Sequence, residues 1–151
     1  MPKEKDRYFS GFLWAPSEEY WHYIIRRISK QYQVTHVRQY KFHTHDDLRN
    51  MIVRLYKYDD VNIKKIKKHK IAALEKYQPK CLHFQIYVPN PEFTHSKHGI
   101  IEPNVIDMKR SIRRKYKKKI DNYITDIIIH ISDNQKQTKF IDDIVNNSIT
   151  Y

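Results

Sequence analysis

A chain of 151 residues and 18.5 kDa has room for one hydrophobic core, which at this size buries roughly 70% of the surface the unfolded chain exposes. Hydrophobic residues at 40% and charged residues at 30% exclude global disorder, and with only Gly11 and Gly99 available, glycine-rich dinucleotide and Walker loops are excluded as well. The net charge of +12 repels itself unless a polyanion or counterions compensate, so a phosphate-bearing partner is the leading expectation.

Arg7 to Trp14 is short and aromatic-rich and reads as a strand; Ala15-Pro16-Ser17, backed by Glu18 and Glu19, then starts a helix. Tyr20, Trp21, Ile24, Ile25, Ile28 and Tyr32 recur at three-to-four spacing and give that helix one apolar face, opposite Arg26, Arg27 and Lys30. Gln33 to Phe42 reads as a second strand, closing on His43-Thr44-His45-Asp46-Asp47. Thr44 or Asp46 caps a helix carrying Leu48, Met51, Ile52 and Leu55, and Asp59 or Asp60 caps another carrying Ile63, Ile66, Ala73, Leu74 and Tyr77.

Cys81 to Val88 alternates and is stopped by Pro89-Asn90-Pro91, which makes a third strand. Residues 92–102 lack periodicity and read as a long loop, after which Pro103 opens a helix with Val105, Met108, Ile112, Tyr116 and Ile120 inward. Ile124 to Ile131 reads as a strand buried on both faces, and Ser132-Asp133-Asn134 leads into a last helix through Phe140, Ile141, Ile144 and Val145. The order βαβααβαβα predicts a single α/β domain over residues 1–151: three layers, with a small, mostly parallel sheet of about four strands flanked by helices.

In such a sheet the loops leaving the carboxyl ends of the strands share one edge. That edge would collect Ser17, His43, Thr44, Asn90 and Asn134 as ligand-binding groups, with His130, Ser132 and Asp133 as a candidate catalytic set in which His130 is the acid or base. Taken singly, Ser17 and Asp133 also fit as ordinary helix caps, Asn90 as a turn residue and His130 as the polar end of a strand. His130-Ile131-Ser132 resembles half of a 2H phosphoesterase signature; the second half would be His83-Phe84-Gln85, which has glutamine for the hydroxyl, or His43-Thr44-His45, whose spacing differs. His43, His45, Asp46 and Asp47, and the pair His95 and His98, have spacings that permit a metal without specifying one, and no cofactor is indicated. Cys81 reads as a small strand residue and forms no internal disulfide.

The charge is unevenly placed. Residues 1–60 hold 11 Lys and Arg against 8 Asp and Glu, residues 61–120 hold 16 against 4, and residues 121–151 hold 2 against 5. The middle segment therefore predicts a nucleic-acid surface of Lys64, Lys65, Lys67, Lys68 and Lys70 on one helix and Lys109, Arg110, Arg113, Arg114, Lys117 and Lys118 on another, with Tyr56, Tyr58, Tyr77, Tyr87 and Tyr116 for stacking. A solvated helix face in a lysine-rich composition explains the lysines equally; it does not explain the near absence of acids in the same segment. Three functions follow: a nucleic-acid-binding module, a small enzyme or sensor for a nucleotide or phosphorylated metabolite, and a viral or mobile-element inhibitor binding a host protein. No apolar run reaches about 18 residues, so a membrane partner is not expected and the cytoplasm, the host's if the chain is viral, is the default location.

Overall fold

The computed structural model describes residues 3–56, 66–97, 99–121, 123 and 125–148. β1 (Tyr8–Trp14) leads through a 3-10 turn, Ala15–Tyr20, into α1 (Trp21–Ser29) and β2 (Gln33–Lys41). α2 (His45–Tyr56) and a π-helical turn (Ile66–Ile71), continued as helix over Ala72–Leu74, precede β3 (Lys80–Tyr87). A hairpin of β4 (Thr94–Ser96) and β5 (Gly99–Ile101) comes next, then α3 (Pro103–Tyr116), a 3-10 turn Lys117–Lys119, β6 (Ile129–Ile131) and α4 (Gln135–Ser148).

The main sheet has the order β2-β3-β1-β6, and every neighbouring pair is antiparallel. The expectation of a mostly parallel sheet is therefore corrected. Two helical segments stand between β2 and β3, so the chain travels out and back and re-enters the sheet where it left: Lys41 pairs with Lys80, and the Phe42 N–H donates to the Pro79 carbonyl at 2.7 Å. β1 and β2 do run in the same direction, but β3 lies between them, which is the split βαβ arrangement of a ferredoxin-like sheet. The stretch expected to be a long loop contains the β4–β5 hairpin, whose turn uses Gly99 at φ 101°.

Both faces of the sheet are covered, because β1 alternates between two buried sets, Phe9 and Leu13 on one side and Ser10, Phe12 and Trp14 on the other. α2 and α4 cover the second side: Gln85 donates to Asp142 at 3.1 Å, and Tyr56 meets His130. α1 and α3 take the opposite face, joined where the Tyr20 and Tyr116 rings lie 5.2 Å apart, with Ile24, Ile28, Val105, Met108 and Ile112 buried beneath them. Gly11 sets the spacing of β1 and β6. A Cβ there would lie 2.4 Å from the His130 carbonyl oxygen and 2.7 Å from Phe84 Cζ, so only glycine lets the two strands close beside His130.

Candidate functional site

β6 pairs with β1 so that His130 stands opposite Phe12, and period-2 alternation turns its ring to the side covered by α2 and α4. There it lines a cavity of about 760 Å³ between α4, the β4–β5 hairpin and the chain start, within the size range of small-molecule sites. The wall divides chemically. Leu55, Phe93, Ile100, Phe140 and Ile141 supply an apolar part, while His130, Asn134, Gln135 and Gln137 supply a polar part together with two ammonium groups, Lys136 and Lys139, and two carboxylates, Asp6 and Asp143.

His130 is 7% exposed. Its Nδ1 is 3.3 Å from Tyr56 Oη, and among the described residues nothing hydrogen-bonds its Nε2. Burial holds the imidazole well below its ordinary range, and Lys70, Lys109 and Arg113 push in the same direction, so the ring is neutral at pH 7. Behind it, Lys70 is 2% exposed, with Nζ 2.5 Å from Tyr56 Oη, 4.9 Å from the Trp14 ring centroid and 4.8 Å from that of Tyr56. A neutral imidazole in a cleft, backed by an ammonium, can accept a proton or donate a hydrogen bond to a phosphate oxygen.

Of the residues expected at one edge, His130 and Asn134 line this cavity and the others do not. Asn134 caps α4, its Oδ1 accepting from the Gln137 N–H at 3.0 Å, and ties the hairpin to the cavity by donating to the Ile100 carbonyl at 2.8 Å. Ser132 is buried against Thr138 at 2.6 Å and accepts from the Ser10 N–H. Asp133 pairs with Lys109 at 3.1 Å. Ser17 is wholly buried, donating to the Trp14 carbonyl and accepting from the Trp21 indole. Thr44 caps α2 by accepting from the Asp47 N–H, and His43 and Asn90 are exposed. A shared edge required parallel strands; antiparallel pairing sends successive strand ends to opposite ends of the sheet.

His83 does not supply the second half of a two-histidine site. It lies across β1 from His130, and both face Phe12, but it opens on a separate polar groove of about 470 Å³ with His36, Arg38, Gln85 and Asp142. Its Nε2 meets Ser10 Oγ at 2.6 Å, and burial, aided by His36, pushes its pKa down to about 3. Cys81 is buried and its thiol pushed up by that burial, which fits an inert strand residue. Among the described residues no group of three or more His, Cys, Asp or Glu could hold a metal ion; His98 lies outside them.

The basic segment separates into populations that the sequence had merged. Lys64, Lys65 and the side chain of Lys67 lie outside the described residues, and Lys68 is exposed. Lys70 is in the core and not on the solvated face expected of it, and Tyr56 and Tyr116 are buried and not free to stack on bases. Lys109 is tied to Asp133 and Arg113 to Asp126 at 2.5 Å, with Arg113 also donating to the Ile129 carbonyl. Arg110, Arg114, Lys117 and Lys118 remain exposed and make no ion pair with the described residues. A signal for Lys70 existed, since it falls four after Ile66 and three before Ala73, on the apolar stripe of its own helix pattern.

The architecture is that of a ferredoxin-like α/β protein with a cavity at its β1–β6 strand pair. In fold it is similar to the nucleoside diphosphate kinase of Aquifex aeolicus, at 12% identity and a TM-score of 0.53, over 95% of this chain and 99% of that one. A nucleoside diphosphate kinase of Borrelia burgdorferi, a transition state mimic with bound vanadate and ADP, aligns at 10% identity and a TM-score of 0.49 over 95% and 90% of the two chains. No family model and no curated protein matches the sequence. Among the described residues no helix is long and apolar enough to cross a membrane.

Proposed function

We propose that this chain binds a nucleotide in the His130 cavity, with the phosphates beside His130, Lys136 and Lys139 and the base against Phe93, Ile100 and Phe140. The observation that carries the reading is a neutral, nearly buried imidazole in a cavity of about 760 Å³ whose wall splits into an apolar part and a polar part that includes Lys136 and Lys139. A nucleotide has the same two halves. The fold likeness to a nucleoside diphosphate kinase adds support from outside the site. Calorimetric titration with ATP, ADP, adenosine and tripolyphosphate tests it. Binding should need both halves of the ligand, and the pair Lys136→Glu with Lys139→Glu should weaken ATP roughly tenfold or more, the size of one charge-assisted contact. Absence of binding by every nucleotide at millimolar concentration, or unchanged binding in that double variant, refutes the reading.

A second reading concerns the opposite face, and its motive is the segregation of unpaired charge. Exposed Arg26 on α1 and Lys30 at its end, and Arg110, Arg114, Lys117 and Lys118 on and after α3, form no ion pairs with the described residues, and the two helices are held side by side through Tyr20 and Tyr116. We infer that this layer contacts the phosphodiester backbone of nucleic acid without reading sequence, which makes affinity fall steeply with salt. Anisotropy titrations with short oligonucleotides at two salt concentrations should show that fall, and Arg110→Glu with Arg114→Glu should remove binding while His130→Ala leaves it unchanged. Salt-independent binding, or binding that survives the double reversal, defeats this reading.

A further inference from the structure

We propose that His36 and His83 hold a divalent transition metal ion, with zinc as its type, between their rings in the polar groove beside α4. The site is separate from the His130 cavity and does not depend on what that cavity binds.

The groove encloses about 470 Å³ between the β2–β3 half of the sheet and α4, and His36, Arg38, His83, Gln85, Asp142 and Asn146 make its wall polar. Strand pairing brings the two histidines together. His36 stands opposite Gln85 and Arg38 opposite His83, so the histidines are diagonal neighbours across β2 and β3, with ring centroids 5.2 Å apart. Two imidazoles on one tetrahedral zinc, each with a nitrogen about 2.0–2.1 Å from the ion, have centroids roughly 5 Å apart. The two rings already stand at that separation.

A second observation is an unmatched atom. His83 is 2% exposed, its Nε2 meets Ser10 Oγ at 2.6 Å, and its Nδ1 is buried with no hydrogen-bond partner among the described residues. A buried polar nitrogen without a partner costs stability, so such an atom on a residue of the groove wall calls for a ligand. A metal ion satisfies it. Binding at Nδ1 requires the ring hydrogen on Nε2, where the Ser10 hydroxyl is placed to accept it, and metal-bound imidazoles ordinarily donate their other N–H to an outer partner of this kind. Whichever tautomer precedes the ion, the ion selects this one. Asp142 adds a carboxylate on the same side, with Oδ1 4.0 Å from His83 Nε2 and accepting from Gln85 at 3.1 Å. His36, on the edge strand, is exposed and makes no hydrogen bond with the described residues, so its ring can turn a nitrogen toward the ion.

Charge decides which ion. Arg38 and Asp142 set a positive against a negative group in one wall, and burial holds His83 neutral, so little net field draws a cation in. Affinity must then come from nitrogen lone pairs, which suit zinc, nickel and copper and not the oxygen-seeking calcium and magnesium. An anion would meet Asp142 with no charge on the His83 ring to offset it. No third His, Cys, Asp or Glu among the described residues joins the pair, so water completes the sphere and the affinity expected is micromolar, weaker than that of a dedicated zinc site.

The test is calorimetric titration of the full, untagged, chelator-stripped chain with zinc chloride, together with nitrogen NMR of its labelled histidine rings. One ion per chain should bind and shift the resonances of His36 and His83 and of no other histidine, while magnesium chloride does neither. Outer partners of metal-bound histidines are worth roughly 10–100-fold in affinity, so deleting a ligand should cost about tenfold or more. His36→Ala and His83→Ala should each do so, and His43→Ala with His95→Ala, both exposed, should leave binding unchanged. His36→Ala alters an exposed side chain and carries the test if His83→Ala does not fold. No binding at millimolar zinc, affinity indifferent to His36→Ala, or shifts at other histidines in place of His36 and His83 would each overturn the proposal. None of these readouts involves a nucleotide, so failure here leaves the reading of the His130 cavity standing, and failure of that reading leaves this site standing.

Discussion

The cations behind the cavity and those on the α1–α3 layer are the same side chains in opposite circumstances. Lys70, Lys109 and Arg113 are drawn inward and held by a phenol, two aromatic faces, two carboxylates and a backbone carbonyl. Arg110, Arg114, Lys117 and Lys118, on the same α3 and the turn after it, face solvent. On α3, Lys109 and Arg113 are four apart and share the face toward β6, while Arg110 and Arg114 share the next face round. Net charge is therefore a poor guide to charge available for a partner. Part of the +12 holds the site together, and a different part is offered outward.

The largest expected effect strikes the inner region through its neutral imidazoles. Burial depresses the folded-state pKa of both His130 and His83, the latter to about 3. A group depressed on folding contributes stability that is full above its unfolded value and is lost as pH falls, here from about pH 6.5 downward, because the unfolded ring takes up a proton that the folded ring refuses. His83 alone, at up to about 1.4 kcal/mol per pH unit, should lower stability by roughly 2 kcal/mol between pH 7 and pH 5, and His130 adds to the fall in the same direction. Urea denaturation at the two pH values measures it, and a difference below about 1 kcal/mol would show that these rings are not neutral and buried as described.

A smaller effect separates two neighbouring arginines and sharpens the contrast between regions. Arg113→Ala strips Asp126 of its ion pair and the Ile129 carbonyl of its donor, at a cost of about 1–3 kcal/mol. Arg114→Ala removes an exposed charge and should change stability by less than about 0.5 kcal/mol. Equal losses in the two variants, compared by thermal unfolding, would erase the distinction drawn between inner and outer cations.

Much of the secondary structure was legible in the sequence, because periodicity is a local property. The stripe from Tyr20 to Ile28 buries as α1, Pro103 opens α3 with Glu102 as its cap at 2.8 Å, and alternation from Cys81 to Val88 matches β3. Thr44 capping α2 was equally visible. The hairpin over residues 94–101 was not, since two three-residue strands are too short to show a period. Within the site, the sequence singled out His130 and Asn134, whose residue types and position after an apolar strand were conspicuous. It misassigned Lys70 and Tyr56, whose roles come from contacts 14 and more residues apart.

By itself the sequence determined the order of the strands and helices apart from the β4–β5 hairpin, that its charge gathers in the middle segment, and that no glycine loop grips phosphate. Strand direction was decided only by the tertiary structure, because alternation of side chains is the same whichever way a strand runs, and an out-and-back helical passage between β2 and β3 reverses the pairing. That reversal dispersed the expected edge. In its place, pairing of β1 with β6 at Gly11 set a neutral His130 at a cavity and put a buried ammonium behind it, since burial and charge environment belong to the packed core and not to any stretch of the chain.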